Sequence, residues 1–93
     1  MLDIVQTSKF KKDYKRLKKQ GKNMDLLKPV VNTLQNQEPL DDSYRDHPLK
    51  GNLSGFRECH IEGDWVLVYR INQSELILTL VRTGDHRNAL GVE

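Results

Sequence analysis

Only one cysteine, Cys59, occurs in the 93 residues, so no internal disulfide can form and the companion cysteines of a structural zinc site are missing. Cys59 reads as an ordinary buried strand residue. No apolar run approaches the roughly 20 residues of a membrane span, and the N-terminus has no apolar signal segment, which points to a cytoplasmic protein. Internal repeats and low-complexity tracts are lacking too. With 37% hydrophobic residues, the chain fits a single domain over residues 1–93 with one core.

What is present is charge, unevenly spread. The net charge is +2, but residues 9–28 carry nine Lys or Arg against only Asp13 and Asp25, which makes that segment +7 and the remainder −5. Glu38, Asp41, Asp42 and Asp46 form a local acidic stretch. A basic face attracts phosphate backbones through counterion release; a lysine-rich helix is equally a solvated surface, and charge alone does not choose between them.

Periodicity orders the chain. Leu2 to Gln6 reads as a short strand, with Thr7 or Ser8 capping a helix whose Phe10, Tyr14 and Leu17 recur at i, i+4 and i+7 and which Gly21 closes. A second helix runs from Asn23 toward Asn36 with Leu27, Val30 or Val31, and Leu34 inward; Pro29 should kink it or delay its start to that point. Residues 36–55 read as loop, with two X-Pro pairs and Gly51 and Gly55. Three strand-like runs follow, Phe56 to Ile61, Trp65 to Ile71 and Glu75 to Arg82, joined by short links that imply antiparallel hairpins. Alternation puts Phe56, Glu58 and His60 on one face and Arg57, Cys59 and Ile61 on the other, and makes Arg82 continue the row Leu76, Leu78, Leu80. Trp65 and Tyr69 read as core. The expected class is α+β, a helical layer on one antiparallel sheet.

The titratable residues gather in the second half: His47, His60, Asp64, Arg82 and His86. Histidine changes charge near neutral pH, and arginine suits a developing anionic transition state. That pairing points to a nuclease.

The ordered strings Asp46-His47-Pro48-Leu49-Lys50-Gly51, Gly55-Phe56-Arg57-Glu58-Cys59-His60-Ile61-Glu62, Asp64-Trp65-Val66-Leu67-Val68-Tyr69 and Arg82-Thr83-Gly84-Asp85-His86 resemble the YafQ branch of the RelE superfamily, bacterial type II toxins that cleave mRNA. The resemblance implies a RelE-like fold, two N-terminal helices on a four-stranded antiparallel-type sheet. It also implies a ribosome-dependent endoribonuclease without cofactor or metal, neutralised by a co-expressed antitoxin of the DinJ-like, ribbon-helix-helix kind. The family's histidines fall on His47, His60 and His86, its aspartate before tryptophan on Asp64 and its arginine on Arg82. An acidic residue two before the strand histidine falls on Glu58, where one relative has aspartate. The chain departs where an aromatic follows the last histidine: that position is Leu90, so a base-stacking contact of about 1–3 kcal/mol is missing or supplied elsewhere.

The chemistry such residues offer is cleavage by the RNA's own 2′-hydroxyl, with His47 or His60 as base, His86 on the terminal segment as acid and Arg82 on the nonbridging oxygens. Asp64 and Glu58 would orient imidazoles or contact the nucleotide, and Lys11, Lys12, Lys15 and Lys19 would engage ribosomal RNA. Each has a plainer reading: His60 as a satisfied core histidine, His86 as tail, Arg82 as a salt bridge to Asp64 or Asp85. Three other functions compete. They are a ParE-like gyrase-binding toxin, which lacks the RNA-cleaving histidines; a noncatalytic RNA- or ribosome-binding module using the basic helix; and a metal site of His47, His60 and His86 with Cys59 or Asp64, whose spacing matches no short structural zinc motif.

Overall fold

Thr7 sets the first boundary. Its backbone is extended and its Oγ1 accepts the Phe10 amide at 3.0 Å, which caps helix α1 (Ser8–Lys19). The helix ends as expected at Gly21: with φ at +85°, the Gly21 and Lys22 amides donate to the Lys18 and Leu17 carbonyls, a closed C-terminal turn. The computed structural model describes residues 1–90.

The second helix starts in two steps. A 3₁₀ turn over Met24–Leu26, capped by the Asn23 side chain, leads into α2 (Leu27–Gln35). Pro29 neither kinks the helix nor marks its start. It is the third helical residue, where the amide it lacks would have had no acceptor within the helix.

The strands are β1 (Asp3–Gln6), β2 (His47–Pro48), β3 (Arg57–Glu62), β4 (Trp65–Asn72) and β5 (Ile77–Asp85). They form one sheet in the order β1-β5-β4-β3-β2, with β1 parallel to β5 and the other pairs antiparallel. The α+β class is as expected, but the sheet has five strands rather than four and is mixed. The added strand lies in the segment read as loop; two residues are too few to show alternation. β1 is parallel because α1 and α2 carry the chain back across the sheet before the meander begins. A short helix, α3 (His86–Ala89), follows β5 directly.

The two faces differ. Against one lie Phe10, Leu17, Leu27, Val30 and Leu34 of the helices, packed on Cys59, Leu67, Tyr69, Leu78 and Leu80, each large apolar side chain contributing about 1.5–3 kcal/mol by burial. The other carries a smaller cluster of Val66, Val68, Val81 and Ala89 with Leu49, Phe56 and Leu90 beside it. Among the described residues no helix is long and apolar enough to cross a membrane.

A bulge corrects the reading of β5. Tyr69 pairs with Leu80 and Val68 with Arg82, leaving Val81 as the extra residue. Alternation therefore resets: Leu78 and Leu80 face the helices, Val81 joins the opposite cluster, and Arg82 does not continue their row. Leu76 is outside the strand, exposed in the turn with φ at +57°.

Candidate active site

Register assembles the site. His47 pairs with Glu58 across β2 and β3, Glu58 with Val68, and His60 with Val66; cross-strand neighbours share a face. His47, Glu58 and His60 therefore stand on the face away from the helices, and α3 brings His86 over them. Glu58 is 0% exposed and the three imidazoles cover it. His86 Nδ1 is 2.9 Å from Oε2, while His47 Nε2 and His60 Nε2 are 3.4 and 3.8 Å from Oε1. These rings are the carboxylate's ion-pair neighbours, and among the described residues neither of its buried oxygens accepts a hydrogen bond.

The ring orientations narrow down where the imidazole protons sit. His47 Nδ1 lies 2.7 Å from the Arg45 carbonyl, an acceptor only, so Nδ1 carries its hydrogen. The opposite nitrogen then faces a carboxylate oxygen. His60 Nδ1 faces the Arg45 guanidinium at 3.4 Å and so presents its lone pair. Burial, then the Arg45 charge, lowers the His60 pKa below 6.5, leaving the ring neutral at neutral pH. The His47, Glu58 and His60 ligand atoms lie within 4.8 Å of one another.

His86 is not tail. Its amide donates to the Asp64 carbonyl at 3.1 Å, and Asp85 caps α3 by accepting the Asn88 amide at 3.0 Å. The ring is pinned at one nitrogen and about half exposed. The Asp64 side chain is exposed and takes part in no ion pair or hydrogen bond among the described residues; it borders clefts shared with Asp85 and Asn88.

Arg82 belongs to the same row as Glu58, two strands away, about 10 Å between backbones. Its ion-pair partner is neither Asp64 nor Asp85 but Asp13 of α1. Nε donates to Oδ2 at 2.7 Å and Nη2 to Oδ1 at 3.1 Å, while the Thr83 amide donates to Oδ2 and Arg16 to Oδ1. Burial raises the Asp13 pKa, but Arg82, Thr83 and Arg16 together lower it below the usual value. Gly84 stands beside this joint with φ at +145°, a backbone that residues with a side chain rarely adopt, and a Cβ there would press on Arg16 Nη2 at 3.2 Å. Asp13 escaped the sequence reading, although position 13 completes the stripe of Phe10, Tyr14 and Leu17. An acid on that apolar stripe was the signal. Arg45, which touches both His47 and His60, gave none.

A family model described as bacterial toxin of type II toxin-antitoxin system, YafQ, matches residues 2–91, spanning every element that builds the cluster. The chain belongs to the YafQ family. It is 38% identical over 90 residues, 96% of each chain, to the mRNA interferase toxin YafQ of Escherichia coli K12. Among solved structures it is similar to a metal-bound toxin from Helicobacter pylori (49% identity, 95% of this chain and 98% of that one, TM-score 0.89). It is also similar to the E. coli DinJ-YafQ complex (37% identity, 98% and 100% covered, TM-score 0.85).

Other YafQ-pattern positions have settled places. Leu90 is half-buried beside Val66, Val68 and Val81. Trp65 and Tyr69 are core: Trp65 Nε1 donates to Thr83 Oγ1, and the Tyr69 hydroxyl donates to Asp46, which Arg57 also holds. Cys59 is wholly buried and its thiol is pushed up to about 12 by burial, so it is inert at neutral pH. Lys11, Lys12, Lys15 and Lys19 are exposed on α1, on the far side of the sheet from the histidines.

Proposed function

We propose that this chain is the toxin of a type II toxin–antitoxin pair and cleaves messenger RNA on the ribosome by acid–base catalysis, without a metal. The observation that carries this is the convergence of three imidazoles on one buried carboxylate. A carboxylate held under imidazoles orients them and stabilises their charged forms.

Roles follow from the ring geometry. His60, kept neutral with its Nδ1 lone pair outward, takes the proton of the 2′-hydroxyl. The 2′-oxygen bonds to phosphorus as the bond to the 5′-oxygen breaks, and His86 gives that oxygen a proton from Nε2 while Nδ1 stays against Glu58. The products are a 2′,3′-cyclic phosphate and a 5′-hydroxyl. His47 stands against Glu58 Oε1 at 3.4 Å, and Glu58, fully covered, orients rather than touches the nucleotide. Arg82, fixed by Asp13, stabilises charge on the phosphate as it develops, and Asp64 holds His86 through its backbone while its side chain meets the nucleotide. Lys11, Lys12, Lys15 and Lys19 engage ribosomal RNA. An antitoxin of the DinJ kind restrains the activity, as the complex of the E. coli relative suggests.

Mapping mRNA 5′ ends after brief induction tests this. Wild type should produce new in-frame 5′-hydroxyl ends that His86→Ala does not; growth arrest without new ends, equal in both, would replace cleavage by a binding toxin.

A second reading has its own observation. Two imidazoles and a carboxylate with ligand atoms within 4.8 Å of one another suit copper, nickel or zinc, and the H. pylori relative was solved metal-bound. A cation there would displace the protons that acid–base cleavage uses. Cleavage should therefore persist in EDTA and stop with added Cu²⁺; loss in EDTA with recovery on metal addition would favour the metal reading.

A further inference from the structure

We propose that Arg45 is a catalytic residue that binds the scissile phosphate beside the base, a position that neither composition nor motif marked. The inference rests on the cleavage reading above and adds a residue to it.

Arg45 serves the site twice. Its backbone carbonyl holds His47 Nδ1 at 2.7 Å and its guanidinium stands 3.4 Å from His60 Nδ1. Both depend on one unusual conformation: Arg45 closes the 3₁₀ turn Asp42–Tyr44 with φ at 47° and ψ at 45°, a left-handed backbone costly for a side chain of this size. That backbone carries the chain from the turn into β2 with the carbonyl on His47.

The guanidinium has no carboxylate within ion-pair distance among the described residues, although Asp41, Asp42 and Asp46 are close in sequence. Asp41 is engaged with the Ser43 amide and Asp46 with Arg57 and Tyr69. The nearest buried anion, Glu58, lies under the histidine rings. An exposed guanidinium is thus left at the lip of the cluster with several donors for nonbridging phosphate oxygens. Arg82, in contrast, spends Nε and Nη2 on Asp13.

The geometry also meets a requirement of the reaction. The attacking 2′-hydroxyl and the scissile phosphate belong to adjacent positions of one nucleotide, so the base and the phosphate-binding group must be neighbours. His60 Nδ1 and Arg45 Nη2 are neighbours. A phosphate drawn onto Arg45 moves the guanidinium off Nδ1 and brings the hydroxyl to the lone pair it vacates.

The left-handed backbone gives an unusually clean test, because glycine adopts it readily. Arg45→Gly should keep the turn, the carbonyl on His47 and the urea midpoint while removing only the guanidinium. On ribosomes programmed with mRNA, single-turnover cleavage should fall roughly 100-fold, and Arg45→Lys should recover most of it. Cleavage by Arg45→Gly at the wild-type rate overturns the proposal. If the wild type itself does not cut, the cleavage reading fails and a second measurement judges Arg45 by itself. A 2′-O-methyl RNA trinucleotide, which cannot be cut, is titrated at low salt while the His60 imidazole signals are followed by NMR. A loss of about tenfold in affinity in Arg45→Gly supports the phosphate contact; equal affinity, or no binding by either protein at millimolar trinucleotide, overturns it.

Discussion

Asp13 of α1 and Glu58 of β3 are both buried carboxylates, 2% and 0% exposed, and their partners make them opposites. Asp13 meets two guanidiniums and a backbone amide at 2.7–3.2 Å, donors that keep their hydrogens at any physiological pH. Glu58 meets three imidazoles at 2.9–3.8 Å, side chains that can act as proton donor or acceptor where a guanidinium or an amide only donates. Burial makes either carboxylate expensive unless it is paired. Permanent partners turn that cost into a fixed joint between α1 and β5. Titratable partners turn it into a store of movable protons, and the difference between structure and chemistry here lies in the partner rather than in the acid.

The largest effect expected separates the two at once. His86→Ala removes a half-exposed ring whose ion-pair contact among the described residues is Glu58, so cleavage should fall by about 10²–10⁴-fold while the urea midpoint stays put. Next, Asp13→Ala leaves Arg82 without its buried counter-ion and should cost about 3–5 kcal/mol, a large share of the stability of a domain this size. Chemical denaturation measures both. A destabilised His86→Ala, or an Asp13→Ala as stable as wild type, would abolish the contrast.

Much of this was legible because it follows from period two or 3.6. Glu58 and His60 share a face by alternation, Thr7 and Gly21 bound α1 by capping chemistry, and the apolar stripe of Phe10 and Leu17 found its core. What escaped depends on contacts distant in sequence. His47 sits on a two-residue strand, too short for a pattern, and its register comes from β3. Val81 is an extra residue at a bulge, so the alternation carried through Arg82 led to the wrong face. The Asp13–Arg82 pair spans 69 residues, and nothing local to Arg82 distinguishes Asp13 from Asp64 or Asp85. Arg45 reaches the site through a left-handed turn that arginine does not advertise.

Glu58→Gln tests whether the charge of the carboxylate, and not its shape, serves the imidazoles. The amide fits the same space and no longer stabilises a protonated ring. Cleavage should fall by roughly 10–100-fold, the size of effect seen when a carboxylate behind a metal-bound histidine is removed, whereas the same change at Asp13 should act first on stability and on cleavage only through Arg82. Equal effects of Asp13→Asn and Glu58→Gln on both readouts would show that the two acids do one job.

The smallest effect is the dependence of stability on pH, where the two clusters should part in different windows. His60 has a folded pKa below 6.5, from burial first and the Arg45 charge second. As pH falls from 6.5 toward that lower value, the unfolded chain binds a proton the folded chain refuses, so stability declines through this window. Asp13 is lowered from 3.8; its contribution is complete above 3.8 and is lost only as pH falls from there through its folded value. Denaturation midpoints between pH 7.5 and 3 should therefore show two descents. His60→Gln should flatten the first and leave the second, and Asp13→Asn should do the reverse. A first descent unchanged by His60→Gln would mean that the ring is not held neutral, and with it would go the reason for choosing His60 over His47 as the base.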